Sequence, residues 1–310
     1  MRIVVHGQQA FGKSVLEALL DRGDDVVAVY CAPDAGGRSD PLKEYALHLG
    51  FEVNQPASWA DPVELEKFRS HNADLCVMAY VTAYVPEEVL NAPVMGSIQY
   101  HPSLLPMHRG PSSINWSIIN GETNTGLTIF WPDSGLDTGP VLLQKDVAIG
   151  PDDTAGSVYF NSLYPMGVDA ILESIDRIES GRAPKDPQDP AAGSYEGWCR
   201  QKDAEIDWYK PATTVYNLIR GCNPQPGAWT MIAGRKVTIY DSALAGSMAV
   251  EPGQITDISG EGGITIAADK GSIMVMQVKV DEEDKITALQ YAERTGLKVG
   301  DRVGSKPSES

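Results

Sequence analysis

Two side chains have surroundings suited to proton transfer, His101 and Asp137. His101 ends the apolar run GSIQYH and opens the segment HPSLLPMHRGPSSINW, where prolines and a glycine hold the loop in a fixed path. Such a loop positions a polar side chain well. Asp137 lies 36 residues further on, in the Gly-flanked turn DSGLDTG. Taken singly, a histidine on such a loop is as readily structural as functional, and an aspartate in such a turn more often bonds its own backbone. As a pair they read differently: a carboxylate beside an imidazole fixes its tautomer and favours its charged form, giving acid–base chemistry near neutral pH. Whether the two touch is a question for the tertiary structure.

Other chemistries lack their residues. The turn HGQQAFG has Gly7 and Gly12 five apart and no third glycine, so it is not the GxGxxG fingerprint of a dinucleotide site. No GxSxG is present, which leaves Ser103 a poor nucleophile. There is no HExxH, and five scattered histidines form no metal-ligand pattern. Tyr80, Tyr84 and Tyr100 stand near expected strand ends, where they suit either a pocket for a flat heterocycle or an ordinary aromatic core.

The elements that must position His101 alternate strand and helix. RIVVH (2–6), VVAVYC (26–31), EVNQ, DLCVM (74–78) and GSIQYH (96–101) read as strands. Helices are expected over Phe11–Asp21, near Pro41–Leu49 and over Asp61–Arg69. This order implies crossover units and a parallel sheet, whose carboxyl edge is where ligands sit. TGLTIFW (125–131) and GPVLLQKDVAI (139–149) are two extended runs joined by the Asp137 turn, and one long helix is expected from Thr154 to about Ser180, ending at Gly181. GRAPKDPQDPAAG (181–193) reads as a linker. Beyond it come a helix near Ala212–Arg220, several short strands with glycine turns, and a short helix near Thr287–Glu293, the pattern of a small barrel. The expected organisation is a catalytic domain over 1–181, a linker over 182–204, a barrel domain over 205–304 and a frayed tail over 305–310.

Composition narrows the function. The chain has 310 residues and a formal charge of -17, with no apolar run near the ~20 residues of a membrane helix. Residues 1–199 hold 12 Lys and Arg against 27 Asp and Glu, so the acidity sits around the expected site and repels phosphate backbones. Cys31, Cys76, Cys199 and Cys222 show no CxxC spacing, which fits a reducing cytoplasm. The opening MRIVVHGQQAFG has too short an apolar run for a signal peptide.

At HPSLLPMHRG followed by LDTG the chain resembles the folate-dependent formyltransferase family. The resemblance extends through GQQAFG, SYEGW, PGAWT, GRKVTIYDS and LKVGDR, nearly the whole chain. Within the family the segments are most similar to the hydrolase domain of 10-formyltetrahydrofolate dehydrogenase. The basic loop that the tRNA-formylating branch carries after its second strand is here CAPDAGGRSDPLKEYA, with few positive charges.

The resemblance implies a Rossmann-like domain holding 10-formyltetrahydrofolate and an OB-like barrel, with no metal and no NAD(P). His101 would be the catalytic base, Asp137 its orienting carboxylate, and Gln99 would stand where the family usually has asparagine. That glutamine is a departure: its amide reaches roughly 1.3–1.5 Å further than asparagine's. Tyr80, Val81, Ser103, Leu104, Leu105, Pro106, Asp133 and Gly135 would hold the folate. Three readings follow: hydrolysis of 10-formyltetrahydrofolate to tetrahydrofolate and formate, formyl transfer to an amine, and folate binding without turnover. The acceptor is then water or a small amine, with tRNA disfavoured by charge. Oligomeric state stays open, a homo-oligomer included.

Overall fold

The computed structural model describes residues 1–34, 36–37, 39–246, 250–259, 262–280 and 283–304. The expected tail, 305–310, lies outside them, as do Ala35 and Arg38 of the CAPDAGGRSDPLKEYA segment. The chain forms two compact units. The first comprises the described residues of Met1–Ser113, Thr125–Val147 and Phe160–Glu196; the second comprises Ile114–Asn124, Ala148–Tyr159 and the described residues from Gly197 to Gly304.

In the first unit β1 (Arg2–Gly7), α1 (Gln9–Arg22), β2 (Asp25–Tyr30), α2 (Pro41–His48), β3 (Val53–Asn54), α3 (Pro62–Ser70), β4 (Leu75–Ala79), α4 (Glu87–Leu90) and β5 (Ser97–His101) follow one another. The helix α5 (Ser113–Ile119), which falls in the second unit from Ile114 on, leads to β6 (Asn124–Phe130) and β7 (Val141–Ala148). The seven strands form one sheet in the order β3-β2-β1-β4-β5-β6-β7. The ladders from β3 to β5 are parallel, as the strand–helix alternation implies. The ladder from β5 to β6 is antiparallel, which corrects a purely parallel expectation. β4 is buried at every position, the mark of a strand covered on both faces.

Local chemistry sets the helix ends. Asp40 and Asp61 accept backbone N–H groups at the starts of α2 and α3, and each is followed by proline at the first turn, where a missing N–H costs nothing. The helix expected in one piece from Thr154 is in three: α6 (Ala155–Val158), a π turn over Tyr159–Leu163, and α7 (Tyr164–Glu179). Pro165 sits in the first turn of α7; lacking an N–H, it cannot continue the regular ladder, and the wider turn accommodates it.

The second unit adds α8 (Ala212–Gly221), the strands β8 (Ala228–Ile232), β9 (Arg235–Ile239), β10 (Ser242–Ala245), β11 (Ile255–Ser259), β12 (Gly263–Ala268), β13 (Gly271–Val275), β14 (Gln277–Val280) and β15 (Ile286–Thr287), and α9 (Ala288–Thr295). They form two four-stranded sheets, β10-β13-β12-β11 and β15-β14-β9-β8, with antiparallel ladders. One apolar core that includes Val237, Ile239, Ile266, Ile273 and Tyr291 lies among them. No closed barrel is seen among the described residues.

Candidate active site

β5 ends at His101, so the imidazole stands at the carboxyl edge of the parallel strands. Its Nε2 lies 2.9 Å from the carbonyl oxygen of His108. A carbonyl only accepts, so Nε2 carries the hydrogen and Nδ1 faces the other way with its lone pair. Nδ1 is 3.7 Å from Oδ2 of Asp137, and both side chains are buried. The structure therefore brings together the two residues singled out by type. They are in line of contact but too far apart for a direct hydrogen bond. Two acceptors face each other across the gap, and a group that carries two hydrogens on one atom satisfies both.

Asp137 is held from three sides. Its backbone is left-handed at φ +54, an uncommon region for a residue with a Cβ. Its Oδ2 accepts from the Gly110 N–H at 2.9 Å. The Gln188 amide donates to the Asp137 carbonyl at 2.9 Å and to that of Gly139 at 2.7 Å, while its oxygen accepts from Arg109 at 2.8 Å. Asp133 closes the same turn, accepting from Thr138 and from the Gly135 N–H. Asp133 and Gly135 thus sit in the turn that presents Asp137.

The loop after β5 is built on its own polar groups. The Ser103 hydroxyl is buried and donates to the Met107 carbonyl at 2.6 Å. Leu105, also buried, donates its N–H to Thr128 and accepts from Gln144. Leu104 packs where a Cβ on Gly126 of β6 would stand, and the Pro106 carbonyl accepts from the Ser194 N–H. Gln99 lies two residues before His101 and so on the same face of the strand. It is half-buried, and no described group hydrogen-bonds its amide. Tyr80, at φ +65, follows β4 level with His101 and is 39% exposed. Val81 lines a cavity with His6, Cys31 and Trp59. Tyr100 is a core residue, its ring 4.4 Å from that of Phe11, whereas Tyr84 is exposed.

Several residues escaped the sequence reading. His108, at φ +53 and buried, holds His101 through its carbonyl. Its own ring meets Glu196 at 3.1 Å, and its N–H donates to the Ser194 hydroxyl at 2.9 Å. Gly110, at φ +109, runs so close to the Glu196 carbonyl that a Cβ would lie 2.3 Å from it. Gln188, Ser194 and Glu196 all fall in the stretch read as linker; residues to 196 instead pack in the first unit and brace the site. HRG and SYEGW stood in recognisable segments, but Gln188 lies in a Pro-rich run with no signal of its own.

Residues 1–170 match the model of the formyl transferase family, and residues 199–296 match that of the formyl transferase C-terminal domain. The chain belongs to the formyl transferase family. It is 38% identical over 305 residues to the mitochondrial 10-formyltetrahydrofolate dehydrogenase of Mus musculus, covering 94% of this chain and 33% of that protein. The chain thus spans about a third of the length of the dehydrogenases it matches. It is 35% identical to the methionyl-tRNA formyltransferase of Trichlorobacter lovleyi, covering 96% of both. This second likeness gives no support to the expectation that tRNA is a poor partner. Among solved structures, an N-formyltransferase from Helicobacter canadensis shares the fold at TM-score 0.69 and 21% identity, over 88% of this chain and 98% of that one. HypX from Aquifex aeolicus does so at 0.69 and 19%, over 100% of this chain and 50% of that one.

Proposed function

We propose that this formyl transferase family enzyme hydrolyses 10-formyltetrahydrofolate to tetrahydrofolate and formate. The observation that carries the reading is the His101–Asp137 pair, two acceptors 3.7 Å apart with the tautomer of His101 fixed by His108. Water, with two hydrogens on one oxygen, fits between them. His101 Nδ1 takes one proton as the oxygen attacks the formyl carbon, and Asp137 holds the other hydrogen and stabilises the imidazolium. The amide of Gln99, on the same face and without a protein partner, donates to the developing oxyanion. Collapse of the tetrahedral species expels the folate nitrogen, which receives the proton from His101. Tyr80, Val81, the 103–106 loop and the Asp133–Gly135 turn border the folate in this reading, and no metal or NAD(P) takes part in the steps. The second unit, with two antiparallel sheets over one core, is read with it as an OB-like domain. The cytoplasmic assignment rests on the cysteine pattern, and none of the four cysteines is in a disulfide.

An amine also carries two hydrogens on one atom, so the product decides. 10-Formyltetrahydrofolate is supplied first with water alone, then with amino sugars linked to nucleotides, small amines and methionyl-tRNA. Formate release at the same rate in all four supports the hydrolase. Formyl-amine as the main product, including formylmethionyl-tRNA, replaces it with a transferase, and folate binding with no turnover leaves a binding protein.

A further inference from the structure

A cavity of about 670 Å³ opens over the carboxyl ends of β1, β2, β3 and β4. This is the edge of an open parallel sheet where ligands bind, and the volume is that of a small-molecule site. Of the residues expected to act on or hold folate, only Val81 lines it. Four observations define what it takes.

His6 ends β1 and lines the cavity at 6% exposure. No described group hydrogen-bonds its ring. Burial lowers its pKa to about 4, so at neutral pH it is an uncharged imidazole with one donor and one acceptor, both without a protein partner. Both nitrogens are reached from the cavity and are not sealed in the core, so a ligand with a complementary edge can pair with them. The walls beside it are aromatic: the Trp59 ring meets His6 edge-on at 5.6 Å and stacks on Tyr30 at 5.5 Å, and Tyr84 stands at the rim.

Charge disfavours an anion. Among the described residues no lysine or arginine lines the cavity, whereas Glu88 does. The start of α1, where sheets of this kind often seat a phosphate, is already taken: the Gln9 N–H bonds both carboxylate oxygens of Asp40, at 3.0 and 2.8 Å. A phosphate there would meet a carboxylate instead of free N–H groups.

We propose that this cavity is a second ligand site, separate from the formyl site, for an uncharged planar nitrogen heterocycle with a donor and an acceptor on one edge, of the nucleobase or nucleoside class without phosphates. The ring slides beside Trp59 and pairs its edge with His6. The assignment does not depend on which acceptor the formyl site uses.

The test is calorimetric titration of the full chain with adenosine, guanosine, cytidine and uridine, each alone and with saturating 5-formyltetrahydrofolate. The proposal expects at least one nucleoside to bind 1:1 in the millimolar range or tighter, undiminished by the folate, and its 5′-monophosphate to bind at least ~10-fold more weakly. His6→Phe, which keeps the ring but removes both polar atoms, should weaken the nucleoside at least ~10-fold and leave folate binding unchanged. Should His6→Phe not fold, Ala57→Trp at the exposed rim fills the cavity mouth without touching the core and should give the same loss. Three results overturn the proposal: no nucleoside binding, displacement of the nucleoside by folate, or a monophosphate that binds as well as its nucleoside.

Discussion

Gln188→Ala removes one side chain from a Pro-rich surface stretch, yet it should disable the site. The amide donates two hydrogen bonds, to the carbonyls of Asp137 and Gly139, in a half-buried setting. At about 1 kcal/mol for each, the loss is ~2 kcal/mol. For a unit of this size that lowers Tm by ~4–8 °C. The effect on rate is larger. Asp137 sits in a left-handed conformation, uncommon for a residue with a Cβ though aspartate adopts it more readily than most, and the Gln188 hydrogen bond to its carbonyl holds it there. Released at its carbonyl, the turn relaxes and the 3.7 Å approach to His101 is lost. A displacement near 1 Å costs about 100-fold in kcat. Gln188→Glu keeps the length and the acceptor for Arg109 but has no N–H to donate, so it should reproduce the loss and separate the two donors from mere bulk. The assay is formate and formyl-amine production at saturating folate, alongside thermal unfolding. A variant with the lowered Tm and kcat within twofold of the parent would refute the reasoning, showing that the Gly110 N–H alone keeps Asp137 in place.

His101→Ala should lower kcat at least ~100-fold with little change in folate Kd, since in the proposed mechanism the ring moves protons and does not anchor the ligand; turnover at the parental rate would remove it from the mechanism. If the Gln99 amide is the oxyanion donor, Gln99→Leu should lower kcat by ~100- to 1000-fold, and a loss below tenfold would hand that role to backbone N–H groups. Gln99→Asn should not raise amine formylation over hydrolysis; a clear rise in formyl-amine would mark the chain as a transferase. The pH dependence of stability has a defined sign at His6. Its pKa is about 4 folded and 6.5 unfolded, so the unfolded chain binds the extra proton and stability falls as pH drops from 6.5 to 4, by ~3 kcal/mol at most. Denaturant titrations at pH 7 and pH 4 should show a larger fall in the parent than in His6→Phe, where the lowered pKa values of His71, Glu52 and Glu173 still give a fall; equal falls in both would mean that the ring is not buried neutral.

Much of the scaffold was legible because its signals are local. Continuous apolar runs such as LCVMA mark strands covered on both faces, and Asp–Pro pairs at 40–41 and 61–62 mark helix starts through hydrogen bonds made within two residues. His101 stood out for the same kind of reason, at the end of a strand and the start of a stiffened loop. The antiparallel β6 did not, since an extended run carries no mark of its partner's direction.

The site's bracing depended on contacts far apart in the chain. Gly110 and Asp137 meet across 27 residues, Gln188 reaches Asp137 across 51, and His108 finds Glu196 across 88. No spacing rule encodes such pairs, because the intervening chain is free in length and composition. The tautomer of His101 was likewise decided only when folding brought the His108 carbonyl within 2.9 Å of Nε2. Residue type and local pattern determined that a histidine and an aspartate were available for proton transfer. Which nitrogen faces the carboxylate, and what holds the carboxylate there, was settled by packing, because hydrogen bonds that reach across the fold exist only once the fold has formed.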